Sequence, residues 1–185
     1  MKIGQVKNTK DYFSGSTFWR TAVPGIFFTP NGDDDYAIIQ VVEKPIDAKF
    51  VGFGEQGGIS LTRNNAQLNY FNFDNVKYRQ IYNRGPLDSR EPLYHSEPIF
   101  FTYNSIPQSK AASSIFLANA GQVCVDVGYY NSQRYMFGTR FNDLDYFFFY
   151  GKNTQDLVYN LTSIIGRSHL KPRYVLGYHQ GCYGY

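Results

Sequence analysis

The chain has 185 residues, of which 43% are hydrophobic and 18% are charged, and its formal net charge is +3. This length and balance exclude a disordered chain and indicate a globular domain with a buried core. The small charge, with no basic run among the aromatic residues, argues against a nucleic-acid partner. No stretch approaches the roughly 20 apolar residues that cross a bilayer, so we expect no membrane partner.

Short β-type runs recur between turn sequences along most of the chain. Aromatic residues make up 18% of the sequence, and Tyr and Phe suit pleated, half-buried surfaces. Many short strands at close intervals predict a mainly β fold built as an antiparallel sandwich. The predicted strands cover residues 26–29, 36–42, 50–54, 59–61, 68–73, 98–103, 114–117, 123–127, 134–138 and 144–150.

One segment near the C-terminus has helical periodicity instead. Asn153 is placed to cap the first turn, and Asp156 follows three residues later. Gly166 is typical of a helix end, and Pro172 prevents the helix from restarting. The apolar residues at helical spacing are Leu157, Val158, Leu161, Ile164 and Ile165.

Several motifs, in their order along the chain, resemble those of glycoside hydrolase family 31. Residues 172–185, with Leu-Gly-Tyr-His-Gln followed by Tyr-Gly-Tyr, are similar to the first strand of the catalytic barrel in that family. The upstream motifs that match are Phe50-Val-Gly-Phe-Gly-Glu55, Asn72-Phe-Asp74, Pro92-Leu-Tyr-His-Ser-Glu-Pro98, Ser114-Ile-Phe-Leu-Ala-Asn119, Leu144-Asp-Tyr-Phe-Phe-Phe-Tyr-Gly151 and Ile165-Gly-Arg167.

The resemblance implies a domain organisation and a function. Residues 1–151 would form a galactose-mutarotase-like β-sandwich that is either shortened or missing its first part. Residues 152–171 would form a linking helix, and residues 172–185 the start of a truncated (β/α)8 barrel. The parent enzyme would hydrolyse or transfer α-linked glucose with retention of configuration at the cleaved bond. Its partners would be an α-glucan or a malto- or isomalto-oligosaccharide, and its own missing barrel. The unpaired terminal strand would favour self-association.

The resemblance also implies substrate-binding residues. In the family, the Asp that matches Asp74 lies on a loop over the mouth of the active site, where a carboxylate can accept hydrogen bonds from sugar hydroxyls. Asn72, Asn75 and Tyr78 offer amide and phenol groups nearby, although Asp74-Asn75 is also an ordinary turn sequence. The family's catalytic acid and nucleophile come from later barrel strands, so we assign no catalytic residue to this chain.

Three other interpretations of the sequence are considered. Gly52-Phe-Gly-Glu-Gln-Gly57 has the spacing of a dinucleotide-binding loop, with Asp74 at 22 residues from Gly52. The β-type run that follows disfavours the required helix, so we expect these glycines to permit close backbone approach. The chain could instead be a free-standing carbohydrate-binding module that uses Tyr70, Phe71 and Tyr78 as a sugar platform. No His, Cys or acidic spacing indicates a metal, and we expect no cofactor.

Overall fold

The structure of the protein is a computed structural model that describes residues 21–30, 36–44, 47–57, 60–70, 94–103, 112–140 and 143–181. Within these ranges the chain forms two antiparallel sheets and one α-helix, which confirms the predicted mainly β sandwich. The strands are β1 (Thr21–Pro30), β2 (Tyr36–Glu43), β3 (Lys49–Gly52), β4 (Ala66–Tyr70), β5 (Ile99–Tyr103), β6 (Ala112–Leu117), β7 (Gln122–Val127), β8 (Arg134–Arg140) and β9 (Tyr146–Gly151).

The two sheets face each other across one core. The five-stranded sheet has the order β1-β2-β8-β7-β4, and the four-stranded sheet has the order β3-β5-β6-β9. On β7 the buried Val123, Val125 and Val127 alternate with Cys124 and the other residues of the outer face. This period of two is what a sheet with one buried face requires.

Aromatic rings from both sheets fill the centre of the core. The ring centroids of Phe50 and Tyr135 are 5.2 Å apart in an edge contact, and Phe53 stacks on Phe100 at the same distance. All four side chains are at most 2% exposed. Burial of an aromatic side chain contributes about 1.5–3 kcal/mol, so this cluster is a main source of stability for the sandwich.

The predicted helix is confirmed as α1 (Thr154–Ile165). The backbone N–H of Asp156 donates to Asn153 Oδ1 at 2.9 Å, and the N–H of Gly166 donates to the carbonyl of Thr162. The helix packs on the outer face of the four-stranded sheet through Leu157 and Leu161, which are its two buried residues. Val158, Ile164 and Ile165 are each more than 40% exposed, so the sheet covers a narrower face than the apolar spacing predicts.

Two predicted strands are not formed. The run at 59–61 is wrong as a strand because Ser60 and Leu61 lie in an irregular turn where Leu61 is 89% exposed; Ile59 lies outside the described residues. The described part of the terminal segment also forms no strand, since Arg173–Leu176 forms one 3-10 turn that pairs with no other described segment. A strand needs a hydrogen-bonded neighbour for its backbone groups. Self-association and the barrel boundary at residue 172 stay predictions.

Candidate functional site

The four predicted substrate-binding residues, Asp74, Asn72, Asn75 and Tyr78, lie outside the described residues. Their roles therefore stay predictions. The structure describes the residues on either side of the segment that carries them, residues 71–93: the description stops at Tyr70, the last residue given for β4, and resumes at Tyr94.

The end at residues 94–99 is tied to the turn that follows β3. The backbone N–H of Glu55 donates to the carbonyl of His95 at 2.9 Å, and the N–H of His95 donates to Glu55 Oε2 at 3.0 Å. The N–H of Phe53 donates to the carbonyl of Ile99 at 2.7 Å. Two motifs that are 40 residues apart in the chain thus form one hydrogen-bonded unit.

The glycines of this turn permit close backbone contact, as the sequence predicts. A Cβ on Gly54 would lie 2.7 Å from the backbone nitrogen of Glu97 and 2.8 Å from the carbonyl oxygen of His95. Gly52, Phe53 and Gly54 have φ values of 102°, 74° and 63°, a left-handed run that interrupts the regular strand, and the Phe53 side chain there is fully buried in the core. No helix begins in the described residues 52–57 and 60–70, so the glycine pattern has a structural role and does not form a dinucleotide loop.

A cleft of about 330 Å³ opens between the two ends of the 71–93 segment. Sequence reasoning missed it, because its walls come from three separate parts of the chain. A small, polar turn between two strands was the available signal, since residues 119–122 are Asn-Ala-Gly-Gln. The lining residues are Tyr70, Ser96, Pro98, Asn119, Ala120, Gly121, Gln122 and Val123.

Tyr70 gives this cleft a buried phenol. The side chain is 2% exposed, and its hydroxyl has no hydrogen-bond partner among the described residues. Burial raises the pKa of Tyr70 well above its ordinary value, and the positive charge of Arg63 offsets a part of that rise. The phenol is therefore neutral, so it keeps a proton to donate to a ligand or to the 71–93 segment.

Asn119, the last residue of a matched motif, has a structural role. Its Nδ2 donates to the carbonyl of Asp143, and its Oδ1 accepts from the N–H of Asp145 at 3.3 Å. These bonds fasten the end of β6 to the segment that leads into β9. One wall of the cleft is thereby fixed, and the amide of Asn119 is already engaged.

The described part of the chain shows neither a candidate metal site nor a candidate membrane-spanning helix. The ranges given above contain no group of three His, Cys, Asp or Glu side chains that could hold a metal ion. In the same ranges, no helix is long and apolar enough to cross a membrane.

Comparisons with known proteins were made at the level of sequence and of structure. No protein-family model matches the chain. The curated protein Alpha-glucosidase 2 of Bacillus thermoamyloliquefaciens is 30% identical over 136 residues, which make up 74% of this chain and 16% of that protein. The chain thus spans about a sixth of this relative.

Solved structures share the fold. A dextranase of glycoside hydrolase family 31 from Flavobacterium johnsoniae, complexed with glucose, superimposes with a TM-score of 0.64 at 22% identity over 86% of this chain and 17% of its own. The cycloalternan-degrading enzyme of Trueperella pyogenes gives a TM-score of 0.59 at 16% identity over 76% of this chain and 19% of its own. A family 31 α-glucosidase of Bacteroides thetaiotaomicron gives 0.58 at 18% identity over 73% and 21%.

The fold and the cleft define an antiparallel β-sandwich domain with one packed helix and a long segment leaving the end of β4. The chain contains a region related to glycoside hydrolase family 31, whose relatives here include an α-glucosidase and other glucan-active enzymes.

Proposed function

We propose that the chain is the N-terminal, non-catalytic sandwich of a retaining family 31 enzyme, and that its 71–93 segment helps to shape the substrate mouth. The substrate class is an oligosaccharide of α-linked glucose, which the enzyme hydrolyses or transfers. The relationship to an α-glucosidase supports the class of enzyme. The structures of the dextranase with isomaltotriose and of the cycloalternan-degrading enzyme with isomaltose support the class of substrate.

The observation that carries the proposal is the double hydrogen bond between Glu55 and His95 at the base of the segment. A loop that positions a substrate must be held at its ends by rigid structure. Tyr70, fully buried at the other end, and the bonded 94–99 stretch supply such anchors. Under this proposal, Asp74 binds substrate from a segment whose two flanking residues are held in place by the sandwich.

The chemistry of glycoside hydrolysis with retention of configuration supports a non-catalytic role for the cleft. Retaining glycosidases place a nucleophile and an acid/base carboxyl about 5 Å apart across the cleaved bond. None of the eight residues that line the cleft is a carboxylic acid. The described lining of the cleft therefore offers hydrogen-bonding groups for binding and, among these residues, no carboxylate pair for covalent chemistry.

The alternative, a free-standing carbohydrate-binding module, loses one of its three platform residues. Tyr70 is 2% exposed and packs in the core, so its ring face cannot receive a sugar from solvent. Phe71 and Tyr78 lie outside the described residues.

An activity assay tests the proposal. The 185-residue chain is incubated with maltose, with maltooligosaccharides and with an aryl α-glucoside, beside a complete family 31 α-glucosidase as the positive control. We expect background rates at every concentration of the chain. Turnover that rises in proportion to the chain would contradict the non-catalytic assignment.

A further inference from the structure

A second cleft, of about 370 Å³, lies on the outer face of the five-stranded sheet. Its volume is in the range of small-molecule sites in proteins, which begin at roughly 300 Å³. Most of the exposed lining is apolar, and four polar side chains complete it. The lining residues are Phe27, Ile39, Val41, Met136, Asp126, Tyr130, Asn131 and Arg134.

The strand register explains why these residues meet. Phe27 pairs with Ile39, and Met136 pairs with both Val41 and Asp126 across neighbouring strands. Directly paired residues point to the same face of a sheet. The four strands β1, β2, β8 and β7 therefore build one continuous floor, on the side away from the core.

Asp126 is an unusual residue for this floor. It is 6% exposed, its Oδ1 accepts from the N–H of Tyr129 at 3.1 Å, and its Oδ2 is buried with no hydrogen-bond partner among the described residues. A buried carboxylate oxygen without a donor costs free energy, which a ligand hydroxyl would recover. Such a group, on the wall of a cleft, points to a ligand that donates.

The β7–β8 hairpin holds the polar rim in place. The N–H of Gln133 donates to Asn131 Oδ1 at 2.9 Å, and the N–H of Arg134 donates to the carbonyl of Asn131 at 3.0 Å. Tyr130 stands on this hairpin with 67% of its surface exposed. The rim is therefore ordered before any ligand arrives, which reduces the entropic cost of binding.

The charges of the cleft select the kind of ligand. Arg134 disfavours a cation and Asp126 disfavours an anion, so the pair favours a neutral molecule with both donors and acceptors. Hydroxyl groups donate to Asp126 and accept from Arg134. The apolar floor and the Tyr130 ring suit the C–H faces of a saturated ring.

We propose that this cleft is a saccharide-binding site for a neutral pyranose unit of an α-glucan. The pyranose packs against Tyr130 and Phe27, and its hydroxyls bond Asp126 and Arg134. The cleft lies by Asp126 and the β7–β8 hairpin, whereas Tyr70 pairs with Val123 near the other end of β7, so it is separate from the base of the 71–93 segment. The proposal takes its ligand class from the proposed function, and its site from the geometry alone.

Calorimetric titration of the chain with maltotriose and with isomaltotriose tests this site. The variants are Tyr130→Ala, Arg134→Ala and Asp126→Asn, and the control is Tyr159→Ala, which removes a tyrosine of similar exposure (63%) from α1 on the other sheet. We expect at least one trisaccharide to bind, each cleft variant to weaken binding tenfold or more, and the control to leave it unchanged. Tyr130 and Arg134 are exposed, so these two variants test the site without altering the buried core.

The same titrations on an Asp74→Ala background separate the two proposals. Binding that persists with Asp74→Ala and disappears with Tyr130→Ala supports the second site, whatever the activity assay shows. No binding of either trisaccharide, or binding that Tyr130→Ala leaves intact, would overturn it. A dimer that Tyr130→Ala dissociates in sedimentation, without saccharide binding, would also overturn it and assign the face to a second copy of the chain.

Discussion

Glu55 and His95 bind each other through two hydrogen bonds, one from each backbone N–H, at 2.9 and 3.0 Å. One bond is between backbone groups, and the other ends on the carboxylate Oε2 of Glu55. The pair joins the turn after β3 to the stretch that precedes β5. It therefore fixes the point at which the 71–93 segment returns to the sandwich.

Glu55→Ala should destabilise the domain. The substitution removes the acceptor of the His95 N–H, and a hydrogen bond to a charged group contributes about 1.5–3 kcal/mol, less where it is exposed as here. We expect a loss of about 1–2 kcal/mol in the free energy of unfolding, measured in urea. Glu97→Ala is the control, because it removes a surface contact with the His95 ring that contributes about 0–1 kcal/mol. Equal losses in both variants would contradict this account.

Gly54→Ala should cost more than Glu55→Ala. The new Cβ would meet two backbone atoms of the 95–97 stretch at 2.7 and 2.8 Å, and backbone atoms cannot move aside cheaply. We expect a loss of about 3 kcal/mol or more, from the clash together with a left-handed φ. Gly166→Ala isolates the second contribution, since Gly166 has a φ of 90° and no atom within 4 Å of its Cβ position. It should lose about 1–3 kcal/mol, the cost of a backbone region that side chains rarely adopt, and a loss as large as that of Gly54→Ala would show that the contact is unimportant.

Local patterns were sufficient to predict most of the strands and the helix. The alternation around Val125 predicts β7, and the caps at Asn153 and Gly166 predict both ends of α1. These signals are local, because period and capping depend on residues close together in the chain. The sequence also indicated that Gly52 and Gly54 allow close backbone approach, which the structure confirms.

Features that depend on distant contacts could not be predicted from the sequence. Leu176 and its neighbours form an apolar run with the composition of a strand, yet strand formation depends on an available partner. Both clefts also depend on sheet order: Phe27 on β1 and Asp126 on β7 line one cleft because β2 and β8 connect their strands into a continuous sheet face. The roles of Asp74 and the other residues of the 71–93 segment stay predictions.

Asp126→Asn should stabilise the domain at neutral pH. Burial raises the pKa of Asp126 in the folded state, against a smaller opposing effect of the N–H groups of Tyr129, Tyr130 and Gly128. The folded protein then holds this proton more tightly than the unfolded chain, so stability falls as the pH rises from the unfolded pKa towards the folded one. Asparagine carries no such proton. The Tm of the variant should exceed that of the parent near pH 7, and the difference should shrink near pH 3. A difference in Tm that is independent of pH would show that burial of the ionised Asp126 carboxylate does not destabilise the folded state.

Asp74→Ala, made in the complete enzyme that contains this chain, tests the central proposal most directly. Loss of a hydrogen bond from a sugar hydroxyl to a charged acceptor costs about 1.5–3 kcal/mol, which corresponds to roughly ten- to a hundred-fold in kcat/KM. The measurement is kcat/KM on a maltooligosaccharide, together with the Tm of each protein. We expect kcat/KM to fall by that factor while the Tm stays within about one degree, because a carboxylate that binds substrate and is not packed in the core contributes little to stability. An unchanged kcat/KM with a lowered Tm would contradict the account and make Asp74 a structural turn residue.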